Sequence, residues 1–201
     1  MARLSLSKSS LSRESRQLKT FERFLPSLDM KRRQLMAERA KVAAARQAIE
    51  AQMAALRARV SSQLPMLANR EVRLDRLVTL KSVRLGRENV MGTRLPLFEG
   101  MEVAVRPYGF LARPHWVDRV VEALTAMLEL EVRLRVEQRR AALLEEAVRK
   151  VTQRVNLFEK VLIPRSRENI KRIRIYLSDA ERAAVVRSKI AKAKRSREGL
   201  A

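Results

Sequence analysis

Stepping alternately three and four residues from Val120 passes through Ala123, Met127, Leu130, Leu134, Glu137, Ala141, Leu144, Val148, Val151, Val155, Phe158 and Leu162, and only Glu137 in that series is polar. About six heptads of apolar a and d positions demand a long helix that lays one stripe along another helix. The first third of the chain carries the matching stripe. Phe21, Leu28, Leu35, Val42, Ile49 and Leu56 recur every seven residues, beside a row of Leu11, Leu18 and Leu25. That row continues as Arg32, Arg39 and Arg46, read as a solvated flank, before Met53 and Val60 restore it. Ala43, Ala44 and Ala45 leave room there for close helix approach. The pattern predicts a mainly α chain: a long antiparallel two-helix coiled coil built from the N- and C-terminal segments.

Helix-stop residues place the boundaries. Serines from Ser7 to Ser12 supply N-caps for the first helix, and Pro65 disfavours helix in the residue before it. Some fifty residues of helix make a rod of about 80 Å. Pro26 is expected to kink its early turns. Four of the six prolines (Pro65, Pro96, Pro107, Pro114) and four of the five glycines (Gly86, Gly92, Gly100, Gly109) fall between Pro65 and Pro114. Within that span Val78–Leu85 is rich in β-branched residues, Gly92–Phe98 reads as a returning strand, and Glu88–Met91 reads as the connection. Met101–Arg106 alternates apolar and polar residues, and Leu67–Leu77 fits a short helix. Three segments follow: an N-terminal coiled-coil helix over 1–65, a small β-hairpin-containing knob over 66–114, and a C-terminal coiled-coil helix with a basic tail over 115–201. Pro114 suits a first helical turn. Pro164 predicts a kink and a one-residue shift of the stripe, carried on by Ile170, Ile173, Leu177, Ala180 and Ala184.

The composition excludes several kinds of chemistry. With no cysteine in 201 residues there is no thiolate chemistry and no disulfide framework. The single histidine, His115, has no second ligand nearby and is read as structural. Glu145 and Glu146 lie on an amphipathic helix, and the glycines are too dispersed for a phosphate loop. No catalytic, cofactor or metal site is expected, and no small-molecule substrate. No run approaches the length of a membrane span, and the N-terminus has no apolar core of a secretory signal. The formal charge of +22 favours acidic partners. Arg187, Lys189, Lys192, Lys194, Arg195 and Arg197 concentrate it in the tail, which reads either as a solvated end or as a contacting tip. A basic coiled coil that binds nucleic acid is the rival reading, although no aromatic platform is interleaved with the basic residues.

Two motifs narrow the choice. Arg154-Val155-Asn156-Leu157-Phe158-Glu159-Lys160-Val161-Leu162-Ile163-Pro164-Arg165 is similar to the "RVNALExVxIPR" core of the D subunits of V-type (vacuolar and archaeal-bacterial) rotary ATPases. Asn89-Val90-Met91-Gly92-Thr93-Arg94-Leu95-Pro96-Leu97-Phe98-Glu99 is similar to that family's "NVxGVxxPxFE" hairpin segment, and Leu18–Leu35, with Lys31-Arg32-Arg33, resembles its leucine-rich opening. Departures occur at Ser166 and Arg167, and at Ala183–Val186. The resemblance implies a non-catalytic central shaft standing inside a ring of catalytic and nucleotide-binding subunits. With a small companion subunit, it would connect through a funnel-like subunit to a membrane rotor ring that carries protons or sodium ions. It also implies a cytoplasmic protein, peripheral to the membrane. Within the motif, Asn156 is read either as a buried polar residue that fixes helix register or as an exposed side chain. The Asn89–Glu99 hairpin is read either as a stabilising turn or as a partner-binding knob.

Overall fold

The computed structural model describes residues 4–68, 76–107 and 114–198. Helix α1 spans Lys8–Gln63, a 3-10 turn follows at Pro65–Ala68, and strands β1 (Val78–Val90) and β2 (Thr93–Val105) form an antiparallel pair. Helix α2 (Trp116–Leu157) passes through a π-turn at Phe158–Leu162 into α3 (Ile163–Glu198). The described residues are therefore mainly helical with one two-stranded sheet, and the chain's contacts divide it into two compact units.

The first unit joins residues up to Lys31 with those from Val151 onward. Ser7 starts α1 by accepting a hydrogen bond from the Ser10 backbone N–H at 3.2 Å, which satisfies one of the donors left open at a helix start. Pro26 lies inside α1. The helices run antiparallel: Lys8 pairs with Glu181 at 3.6 Å and Glu22 with Arg167 at 2.8 Å, ascending on one helix as the other descends. Phe21 meets Phe158 edge to face, ring centroids 5.3 Å apart, a geometry that adds to the area both rings bury. Val151, Val155, Ile163, Ile170 and Ile173 are buried along this seam, together with Ser10 and Ser166.

The second unit runs from Arg32 to Lys150. Leu35, Val42, Met53 and Leu56 of α1 are buried, as are Val120, Val136 and Leu144 of α2. Where α1 ends and α2 begins, Leu64, Leu77, Trp116, Val117 and Val120 form one cluster, with Val60, Leu67, Val78 and Val121 packed on it. Arg106 donates its backbone N–H to the Leu77 carbonyl at 2.8 Å and closes the base of the hairpin over that cluster.

The hairpin is longer than its sequence suggests. Val90 pairs with Thr93, so the connection is the two residues Met91 and Gly92 and not Glu88–Met91. Both have positive φ, 50° and 78°, the type I′ geometry whose twist matches the flanking strands. Asparagine is the usual residue at the first position; methionine has no such preference, so the local sequence hides the turn. Two register shifts leave Lys81 of β1 and Glu99 of β2 as extra residues, bulges that increase the local twist. Of the Leu67–Leu77 segment, Leu67 and Ala68 belong to the 3-10 turn and Leu77 leads into β1; the short helix expected there falls mainly on residues 69–75, which lie outside those described.

Candidate functional site

Nothing in the described residues gathers three or more metal-ligating side chains, and no described helix is long and apolar enough to cross a membrane. The features with functional content are the helix seams, the π-turn, the hairpin and the basic end of α3.

The seam residues predicted on α1 take two levels of burial. Leu35, Val42 and Leu56 are buried, whereas Phe21, Leu28 and Ile49 are half-buried. On the C-terminal side Val120, Leu144, Val151 and Val155 are buried, while Met127, Leu130, Leu134, Val148, Phe158 and Leu162 are half-buried. Arg32 and Arg46 are half-buried and Arg39 is exposed. The Arg46 guanidinium lies 3.8 Å from Glu50, but its Nε is buried without a hydrogen-bond partner.

The π-turn supplies the physical basis of the stripe shift. The Ile163 backbone N–H donates to the Phe158 carbonyl, five residues back, and a π-turn of this kind inserts one residue into a helix. Heptad counting through Val155 and Phe158 leads on to Arg165, Asn169 and Arg172. The buried set is instead Ser166, Ile170 and Ile173, one residue later. Pro164 follows directly, where an uninterrupted α-helix would want the N–H that proline lacks. Of the motif residues, Val155 and Ile163 are buried; Arg154, Asn156, Glu159, Pro164 and Arg165 are exposed. Asn156 therefore faces solvent, and the buried polar side chain of this stretch is Ser166. Leu157 and Val161, four residues apart on the outer surface, are both close to half exposed.

The hairpin motif docks on α2. Leu95 is 1% exposed; Val90, Pro96 and Phe98 are half-buried, and Asn89, Gly92 and Glu99 are exposed. The Glu99 carboxylate lies over Gly86, where any Cβ would collide with it. Arg140 donates to the Glu88 carboxylate at 2.8 Å and to the Pro96 carbonyl at 3.5 Å. Arg133 stacks over the Phe98 ring at 5.3 Å from its centroid. No local pattern signals Arg140 or Arg133, because both partners lie far away along the chain. This face also corrects the seam. Val136 is buried, and Glu137, the series' one polar member, is half-buried. Arg133, Val136 and Arg140 share one helical face at spacings of three and four, so the residues on either side of Val136 both touch the hairpin.

In the first unit, α3 continues as helix through Glu198, and every described side chain from Asp179 to Arg195 is exposed. Arg187, Lys189, Lys192, Lys194 and Arg195 are among them; the Arg197 side chain lies outside the described residues. Val185, Val186 and Ile190 are each more than half exposed among these cations. Several of the described charges pair in exposed helical i,i+4 contacts, such as Lys150 with Glu146 at 2.5 Å. That ammonium, by its hydrogen bond first and its charge second, holds the Glu146 carboxyl below the ordinary carboxylate range.

Comparison with known proteins places this arrangement. The profile of a family described as the D subunit of ATP synthase matches residues 10–193. The V-type ATP synthase D subunit of Borreliella burgdorferi is 34% identical over 192 residues, covering 96% of this chain and 95% of that protein. The protein of the same name from Chlamydia muridarum is 30% identical over 197 residues, covering 96% of each. That from Chlamydia caviae is 32% identical over 197 residues, covering 96% of this chain and 94% of that protein.

Proposed function

We propose, from the premise that this chain belongs to the family of ATP synthase D subunits, that it is the non-catalytic central shaft of a V-type rotary ATPase. The observation that carries this reading is the extent of the match. It runs from the first turns of α1 to the last turns of α3, so the seams, π-turn and hairpin lie inside it.

A shaft needs torsional stiffness and no bond-making groups. Paired helices supply stiffness, because rotating one past the other lifts interdigitated side chains out of a packed seam. Torque would pass between a ring of catalytic and nucleotide-binding subunits and a membrane rotor, by way of a small companion subunit and a funnel-like subunit. ATP hydrolysis or synthesis would thereby be coupled to movement of protons or sodium ions. The protein would then be cytoplasmic and peripheral to the membrane, within a membrane-bound complex. The segments 1–65, 66–114 and 115–201 would serve as first shaft helix, knob, and second shaft helix with its basic tip. The exposed cations from Arg187 to Arg195 favour an acidic lining in whatever surrounds that tip.

Reconstitution tests the reading. The chain and its companion subunit are mixed with a cognate ring of three catalytic and three nucleotide-binding subunits. Native mass spectrometry should give one copy per ring, with altered ATPase turnover in the same sample. No binding to the ring, combined with salt-dependent capture of nucleic acid, would refute the shaft and support the basic coiled-coil alternative. Neutralising Lys192, Lys194, Arg195 and Arg197 together should weaken coupling; unchanged ATP-driven pumping would remove the tip from the account.

A further inference from the structure

The geometry points to Arg140 as a positioning residue that seats the β1–β2 hairpin on α2 in one orientation, by a polar clasp on Glu88 and Pro96. The side chain is only 12% exposed. One guanidinium nitrogen donates to Glu88 at 2.8 Å, and another reaches the Pro96 carbonyl at 3.5 Å. Glu137, on the same helix, lies 3.7 Å from Nε, too far for a hydrogen bond, and that nitrogen is buried without one.

The clasp is directional for three reasons. Glu88 belongs to β1 and Pro96 to β2, and they stand on neighbouring rungs: Arg87 opposes Pro96 and Glu88 opposes Leu95. A planar guanidinium that engages both strands fixes the hairpin's position along α2 and its rotation together. A one-residue slip would turn Glu88 to the opposite face of the sheet. A buried guanidinium is tolerated only where its partners are in place, so alternative seatings leave an unpaired charge. Arg133 then gives a second anchor on Phe98, two helical turns away, with buried Val136 between the two. Leu95 of the hairpin and Val136 of α2 are both buried; the clasp decides how the hairpin sits. The use of this seating, a knob that keeps its angle as the shaft turns, rests on the shaft reading. The seating itself does not, and is tested on the chain alone.

The chain has no cysteine, so spin labels can be placed at will. Labels on Met91→Cys at the hairpin turn and Gln138→Cys on α2, both exposed positions, should give one narrow distance distribution by pulsed electron resonance. Arg140→Leu should broaden that distribution and lower the thermal midpoint, since removing one partner of a buried pair leaves the other unpaired. Hydrogen exchange of the β2 amides should rise about ten- to a hundredfold, the range expected for loss of a charged hydrogen bond. Arg140→Glu should broaden the distribution as well, and adding Glu88→Arg should narrow it again. A distribution still narrow in Arg140→Leu would overturn the proposal. So would a charge exchange no narrower than its single variants. Ring binding is scored separately: a chain that keeps the clasp but ignores the ring refutes the shaft alone.

Discussion

The π-turn at Phe158–Leu162 makes a strong prediction about chain length. Between Val155 and the buried residues beyond Pro164, the seam is one residue longer than heptad spacing allows. Removing one residue inside the turn should let α2 and α3 join as plain α-helix, with Ile163, Ile170 and Ile173 falling onto the seam at steps of three and four. Val161 is the residue to delete, since its side chain is 48% exposed. In straight helix Pro164 would clash with the preceding turn at a cost of about 3 kcal/mol, so the deletion is made together with Pro164→Ala. Inserting one alanine after Val161, in the same background, asks the turn to absorb a second residue. The downstream helix then rotates by roughly 100° and carries three buried isoleucines off the seam. At roughly 1.5–3 kcal/mol for each buried side chain, that is about 5–9 kcal/mol, an upper bound because the unfolded chain already buries part of this surface. Such a loss is comparable to a whole domain's stability. Circular dichroism and amide exchange over residues 10–28 of α1 measure it. The deletion should keep the protection of Pro164→Ala, and the insertion should abolish it. Equal loss in both variants would refute the account of the π-turn as a one-residue phase correction.

The described contacts set three further outcomes. Met91→Asn should raise stability by about 1 kcal/mol in denaturant titration, because asparagine tolerates the left-handed conformation that costs other residues roughly 1–2 kcal/mol; a lower midpoint would contradict the turn assignment. Leu77→Ala should cost about 2–5 kcal/mol and shift the emission of Trp116, the chain's one tryptophan, to the red, since both side chains belong to one buried cluster; unchanged emission would separate them. Glu146 should titrate below an ordinary glutamate in a carbon-detected NMR series, and Lys150→Ala should return it to the ordinary range. Because the folded-state value is depressed, any stability from this pair is present above the ordinary carboxylate pKa and lost as pH falls through the lowered one. The Glu146 side chain is exposed to solvent, so the pair should leave the thermal midpoint near pH 7 unmoved.

Much of the fold could be read one element at a time. The spacing of Leu35, Val42 and Leu56 against Leu144, Val151 and Val155 requires a helix pair, because no other regular structure puts residues seven apart on one stripe. Ser7 marks the start of α1 through a local hydrogen bond and Pro65 its end through a local steric clash, neither of which needs tertiary context. The stripe shift beyond Leu162 was legible from Ile170, Ile173 and Leu177, although its agent, a π-turn and not a kink alone, was not. The hairpin was expected, but its turn was misplaced, because Met91 adopts a conformation its side chain does not advertise.

The amino-acid sequence by itself determined the helices, their stripes, the existence of a hairpin and the family motifs, since each depends on residues within a turn or a heptad of one another. Only the tertiary structure decided that Val136 and not Glu137 is the deeply buried member of its turn. It alone decided that Asn156 faces solvent and that Arg140 grips Glu88 and Pro96. The reason is physical. A residue's burial and a charge's partner are set by whatever element folds over them. For Arg140 that element is a hairpin 44 to 52 residues away, whose position no local pattern encodes.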